Sequence, residues 1–261
     1  MQKCWWFLVS LSVPSQNNNF ESHPIEPTGN VKDLGIYIDC DATFNSQIEK
    51  LISKAKNKCS WILRTFETRD KLPMLTLYKS LVIPILDYCS QIWSPAKKGH
   101  IQNIEEIQRS FTRKIKGTQN MDYWQRLKFL NLYSLERRRE RYSIMYTWKI
   151  LEHLVPSSLS IDPKIHNRRG RECTLPPLNT RAAKSVQNLR EGSFSCRGPR
   201  LFNKLPREIR GMSCSVNVFK RALDSFLKNI PDNPLTQNYT AYSTHASNSL
   251  LDIIQASAAT L

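Results

Sequence analysis

Glycine is scarce in this chain: 8 of 261 residues, about 3% where globular proteins average roughly 7%. No two glycines have the spacing of a dinucleotide-binding loop or of a phosphate-loop lysine motif, which excludes nucleotide chemistry built on a glycine cradle. Few glycines with many Leu, Ile and Lys also suit helices better than a turn-dense β-sandwich. The seven cysteines (4, 40, 59, 89, 173, 196 and 214) are odd in number and far apart, and none forms a C-x-x-C pair or a zinc-spaced cluster with histidine. That pattern fits reduced thiols in or near cores, not a disulfide framework. No apolar run approaches the ~20 residues that span a bilayer. The longest, residues 4–14 (CWWFLVSLSVP), resembles a weak signal segment. Reduced-looking cysteines and a basic body place the chain inside the cell instead, in nucleus or cytoplasm, with no membrane partner. The last 33 residues contain no lysine or arginine.

What is abundant is positive charge. Thirty-eight bases against 22 acids give a formal net charge of +16. The excess is +4 over residues 31–102, +6 over 103–150 and +11 over 164–228, a map of where a polyanion would lie. Apolar residues at 40% and aromatics at 10% are enough to bury a core, and the length allows one large domain or two small ones.

Periodicity predicts a mostly helical middle. Residues 34–39 (LGIYID) read as a short buried strand, followed by a helix capped by Asn45 or Ser46 with Ile48, Leu51, Ile52, Ala55, Cys59, Ile62, Leu63 and Phe66 on one face. A second helix runs from about Pro73 and should kink at Pro84. A third places Ile101, Ile104, Ile107, Phe111 and Ile115 inward and stops at Gly117. A short piece over 123–130 and a long helix from Ser134 to about Val155 complete a bundle of four or five helices. Six prolines between 156 and 206 predict an irregular module, closed by a helix over 215–229. Beyond Pro231 the chain reads as a tail with a loosely docked helix near 250–254.

Candidate chemistry is thin. Asp39 and Asp41 flank Cys40 at a strand end, the kind of carboxylate pair that can hold divalent metals, but Asp there is also an ordinary turn or cap residue, and that is the reading adopted. The five histidines stand apart, without ligand or triad spacing. Basic clusters carry more signal. Arg109, Arg113, Lys114 and Lys116 share a helical stretch. Arg137, Arg138, Arg139 and Arg141 crowd the first turns of the long helix, where the dipole disfavours cations. Arg168, Arg169 and Arg171 form a third group, and Arg197, Arg200 and Lys204 a fourth, with Phe194 and Phe202 nearby as candidate stacking rings. Such sets suit contact with backbone phosphates.

Several stretches resemble a known family. KDLGIYID (32–39), LYKSLVIPILDYCSQIWSP (77–95), IEEIQRSFTRKIKG (104–117) and RLKFLNLYSLERRRERYSIMYTWKIL (126–151) are similar to the region after the catalytic core of non-LTR retrotransposon reverse transcriptases, of the jockey and chicken-repeat groups. GPRLFNKLPREIR (198–210) and SVNVFKRALDSFLKNIPDNP (215–234) extend the likeness. The resemblance implies that the endonuclease and the Asp-Asp metal motif of the palm lie upstream of everything present. No catalytic residue then carries over, the chain is no enzyme on its own, and no cofactor is expected, magnesium requiring the missing palm. Lys3 and Cys4 match the last palm strand, although the apolar run after them departs from the family. Asp39 and Asp41 match a turn after the palm, and Ser143 stands where relatives are often acidic.

The expected fold is therefore mainly α: a palm-end remnant with short strands (1–43), a thumb-like helical bundle (44–155), a small basic α(+β) module (156–230) and a flexible tail (231–261). The expected function is binding of RNA, DNA or an RNA–DNA hybrid through backbone phosphates, without polymerisation. Two readings compete: a helical protein-interaction module, or a non-functional product with a merely solvated basic face. In the second, strand 34–39 would leave an open edge and an uncovered apolar face.

Overall fold

A computed structural model describes residues 19–20, 23–24, 28–155, 173, 183–234 and 248–259. Four short strands lead. β1 (Asn19–Phe20) pairs antiparallel with β2 (His23–Pro24), and β3 (Asn30–Asp33) with β4 (Ile36–Asp39), Asn30 opposite Asp39 and Asp33 opposite Ile36. Leu34 (φ 47°) and Gly35 (φ 85°) join the second pair. Two positive φ values make the mirror-image turn that matches the twist of flanking strands, so these two residues belong to the turn and the strand is shorter than 34–39. Ile36 and Ile38, two apart and on one face, join the core beneath the first helix. The apolar face expected to lie bare is thus covered.

That helix, α1 (Asn45–Thr65), buries Ile48, Leu51, Ala55, Cys59 and Ile62 and turns Lys50, Lys54 and Lys56 outward, the stripe that a 3.6-residue period produces. It is not capped by Asn45 or Ser46. The chain enters through Phe44 in the left-handed region (φ 57°), and the Asp39 carboxylate accepts the Ser46 N–H at 3.0 Å. Next come α2 (Lys71–Leu77), a wide π-type turn (Tyr78–Val82) and α3 (Ile83–Asp87). Pro84 is the cause: it has no N–H for the carbonyl four residues back. The ladder slips, and the Ile83 N–H bonds the Tyr78 carbonyl five residues back. After the short α4 (Ser90–Trp93), α5 (Lys98–Thr112) buries Ile104, Ile107 and Phe111, and Gly117 follows at φ 84°. α6 (Tyr123–Leu130) opens on a capping box between Asp122 and Gln125, and α7 (Leu135–Leu151) on Ser134.

Two hydrophobic cores result. The first holds β4, α1 to α5, Leu130 and Leu135, with Tyr78 stacked on Phe111 at 4.9 Å. The second gathers Ile144 to Leu151 of α7 with α9 (Phe194–Asn203), α11 (Val216–Lys228) and α12 (Leu250–Ala259); α8 (Lys184–Gly192) packs on α9, and α10 (Arg207–Arg210) on α11. Trp148 stacks on Phe219 at 4.4 Å and donates its indole N–H to the Met212 carbonyl. One helix, α7, therefore belongs to both cores. The described part of the basic module is helical, and Cys173 is held to it by the Asn203 amide, which exchanges two hydrogen bonds (2.8 and 3.0 Å) with its backbone as a strand partner would. The helix expected near 250–254 as loosely docked is present, with Leu250 and Ile253 buried. Cys59, Cys173 and Cys196 are buried and Cys40 is exposed.

Gly198 of α9 packs directly against Thr147 of α7. A Cβ there would lie 2.5 Å from Thr147 Oγ1 and 2.9 Å from Phe194 Cε2. Gly198→Ala is expected to cost about 1–3 kcal/mol by overpacking, against at most about 1 kcal/mol gained in helix propensity. Urea denaturation should show a lower midpoint, partly restored when Thr147→Ala is added.

Candidate nucleic-acid interface

The structure divides the basic clusters sharply. The α7 arginines, expected to face a phosphate backbone, point inward. Arg137 is fully buried, donates Nη2 to the Pro231 carbonyl at 3.0 Å and lies 3.9 Å from Glu140. Arg138 grips Asp87 of α3 with two nitrogens, at 2.7 to 3.0 Å, and reaches the Tyr142 hydroxyl. Arg141 grips Asp224 of α11 in the same forked way, at 2.5 and 2.9 Å. Arg139, 4% exposed, is attracted by Glu105, Glu136 and Glu140. Cations near a helix start are tolerable where each meets an acid or a carbonyl from another element, as Arg137, Arg138 and Arg141 do. Arg137, Arg139 and Arg141 are buried instead of facing a phosphate backbone, and Arg138 commits its guanidinium to Asp87.

The last cluster is similarly split. Arg197 donates to the Gly192 and Gln91 carbonyls at 2.6 and 3.0 Å, tying α9 to α4, and burial pulls its guanidinium down to about 10. Arg200 faces Glu191 at 4.0 Å, and Lys204 is exposed. Phe194 and Phe202, candidate stacking rings, are core residues at 6% and 0% exposure. Arg168, Arg169 and Arg171, like Lys3, Cys4 and the apolar run after them, lie outside the described residues.

What remains outside gathers where α1 and α5 end. The Lys116 N–H bonds the Arg69 carbonyl at 2.7 Å, bringing the two helix ends together. Arg64, Arg113, Lys114 and Lys116 are exposed there. Asp70 lies 3.8 Å from Lys116, and Glu106 pairs with Arg109 at 2.9 Å. Arg69 is turned back onto the Leu63, Phe66 and Thr68 carbonyls, satisfying the end of α1. Cations on the outer face of α1 also lie over aromatic rings, Lys50 at 3.5 Å from the Tyr37 centroid and Lys58 at 4.9 Å from that of Trp61. Hydrogen bonding from Lys50 lowers the Tyr37 hydroxyl below its ordinary value. Lys97, just before α5 at the opposite end, is exposed as well.

Sequence reasoning missed the acids that organise the interior. Glu105, 5% exposed, accepts hydrogen bonds from the Leu135 and Glu136 backbone N–H groups (3.0 to 3.3 Å) and from the Tyr123 hydroxyl. Glu140 accepts the Leu250 N–H (2.9 and 3.0 Å) and the Ser249 hydroxyl (2.6 Å). Burial raises both carboxyls. Their only sequence signal is an acid set among the apolar positions of an amphipathic helix. Asp39 and Asp41 act as turn and cap residues, Asp41 accepting the Thr43 N–H and hydroxyl. Among the described residues no three His, Cys, Asp or Glu side chains converge as a metal site, and no helix is long and apolar enough to cross a membrane.

Comparison with known proteins bears on this geometry. No protein-family model matches the chain, and no solved structure is significantly similar. A stretch of 112 residues, 42% of this chain, is 30% identical to an uncharacterised protein of Caenorhabditis elegans and spans 57% of it. A stretch of 103 residues is 31% identical to a probable RNA-directed DNA polymerase from the transposon X-element of Drosophila melanogaster, and one of 89 residues is 30% identical to the RNA-directed DNA polymerase of the mobile element jockey from the same fly. These matches span 11% and 10% of the two polymerases.

The buried acids make stability depend on pH. Burial, then the neighbouring Glu140 charge, push Glu136 up to about 8. A carboxyl raised in the folded state keeps its full stability below the unfolded value, ~4.3, and loses it as pH rises through the folded one. Thermal unfolding is expected to show Glu136→Gln melting above the parent chain at pH 8 and close to it at pH 4.5.

Proposed function

We propose that this chain, related over part of its length to the RNA-directed DNA polymerases of jockey-type mobile elements, is a reverse-transcriptase-like helical unit that grips nucleic acid by its backbone phosphates and does not polymerise. One observation carries the reading: the paired ends of α1 and α5 present Arg64, Arg113, Lys114 and Lys116 together. The exposed lysines of α1 continue that positive surface. An array of this kind binds RNA, DNA or their hybrid by charge and shape, with little regard for sequence. The thumb of a polymerase packs on its template–primer duplex in this manner, and by resemblance the first core would be that thumb. By the same resemblance, nucleotide addition would fall to a palm with its own carboxylate pair.

The competing reading is a positive face that is only solvated, or that serves to complement the negative C-terminal ends of α1 and α5. Ionic strength separates the two. Phosphate contacts release counterions, so log K for duplex binding falls by roughly 0.9 per contact with log salt. The full chain should bind a labelled RNA–DNA hybrid with a steep salt slope, and Lys114→Ala with Lys116→Ala should weaken binding and lower the slope by about two. A folded protein that binds nothing at low salt returns the face to solvation. Magnesium-dependent nucleotide incorporation by the purified chain would refute the non-polymerising part of the proposal.

A further inference from the structure

Behind the exposed cations at the end of α5 lies a cleft of about 230 Å³, enclosed by the last turn of α5, the loop over 117–122 and α6. Arg109, Arg113 and Arg126 line it together with Ser110, Gln119 and Glu106. Three guanidiniums in one small cleft repel one another, and the structure shows what holds them there. Arg109 and Arg126 lie against the same ring, with Cζ 4.9 and 5.7 Å from the Tyr123 centroid. Arg126 is further fixed by the Met121 carbonyl at 2.7 Å. Glu106 pairs with Arg109. Arg113 has no side-chain partner among the described residues. Burial first, and then Arg109 and Arg113, draw the Arg126 guanidinium below its ordinary value, against the opposing pull of Tyr123 and Asp122.

The cleft selects by size and by lining. It is smaller than the ~300–1,000 Å³ of sites for drug-sized ligands, and none of its lining residues is aromatic, so a base has nothing to stack on. Planar guanidinium forks match the paired oxygens of a phosphate. The negative end of α5 would oppose an anion, but its last carbonyls are covered: the Thr112 hydroxyl donates to Gln108 at 2.7 Å, and the Thr118 hydroxyl donates to Thr112 and Ile115 at 2.8 and 2.7 Å. The side chains then set the local potential.

We propose that this cleft seats a single phosphate group of a nucleic-acid backbone and so fixes where along the strand the chain sits; the assignment rests on the nucleic-acid reading above. Arg113 is the exposed donor that turns onto the phosphate, Arg109 and Arg126 are the fixed ones, and Glu106 weakens the site by competing for Arg109.

The test uses the full chain and two probes. Inorganic phosphate, titrated at constant ionic strength and followed by phosphorus NMR, should bind saturably, about tenfold more weakly in Arg113→Ala and more tightly in Glu106→Gln. An RNA–DNA hybrid should bind about tenfold more weakly to Arg113→Ala, with the salt slope lowered by about one, while Lys220→Ala, at an exposed cation of α11, leaves phosphate binding unchanged. Arg113 is exposed, so an unchanged melting temperature should accompany the loss. Phosphate that does not saturate, or affinity indifferent to both cleft variants, overturns the proposal; steep salt-dependent hybrid binding in that case leaves the wider nucleic-acid reading standing. Saturable phosphate binding without any hybrid binding overturns the backbone assignment and the wider reading together, leaving a site for free phosphate.

Discussion

The structure depends on a carboxylate buried against the start of a helix to which it does not belong. Glu105 of α5 receives the first backbone N–H groups of α7 and the Tyr123 hydroxyl. The first turn of any helix leaves N–H groups without partners and carries partial positive charge, and a carboxylate answers both. The same device recurs twice. Asp39 of β4 takes the Ser46 N–H of α1, and Glu140 of α7 takes the Leu250 N–H of α12. Each acid belongs to an element earlier in the chain than the helix it caps, so each fixes the position of a later element on an earlier one. Desolvation works against the charge at Glu105 and Glu140, and the hydrogen bonds work for it. Such a carboxylate tolerates no loss of partner, because an unpaired buried charge costs far more than the pair returns.

Helix α7 receives one of these caps and supplies another. It is seated by Glu105 at its start, shares Leu135 with the first core and Ile144 to Leu151 with the second, and seats α12 through Glu140. Its arginines finish the task, with Arg138 reaching α3 and Arg141 reaching α11. Only a planar fork with several donors can hold a carboxylate two-handed, which is what Arg138 and Arg141 do and a lysine there would not. Beside the Ser134 cap, Asp232 accepts the Ser134 N–H and hydroxyl and the Asn248 amide, so the segment after α11 is pinned to the same helix start. The chain's basic character near 137–141 is thus architectural.

Much of this architecture is legible in the sequence and some is not, for definable reasons. The 3.6-residue stripes of α1, α5 and α11, the break at Pro84 and the stop at Gly117 are local features and read directly. Leu34 and Gly35 read as strand because hydrophobicity outweighs turn chemistry when Leu occupies a position of positive φ. The helix at 250–259 reads as loosely docked because its anchor, Glu140, lies 110 residues from Leu250. The arginine cluster of α7 misleads for a related reason. Charge density along a sequence does not record whether each cation has an acid waiting on another element, and Asp87 and Asp224 are 51 and 83 residues distant. Phe194 and Phe202 read as stacking rings beside arginines, whereas the α9 stripe turns both into the core.

Internal pairing also bears on the outer surface. The network around α7 joins four arginines (137, 138, 139 and 141) to six acids, Asp87, Glu105, Glu136, Glu140, Asp224 and Asp232. Among the described residues Arg137, Arg139 and Arg141 are buried, as are Arg126 and Arg210, against buried Asp39, Glu105 and Glu140, so the interior takes in more positive than negative charge. The positive surface therefore arises in spite of the interior and not because of it. Its cations, among them Lys54 and Lys56 of α1 and Arg113, Lys114 and Lys116 beyond α5, come from the net charge of +16 that the sequence carries, and they set the field in which a phosphate backbone would be bound.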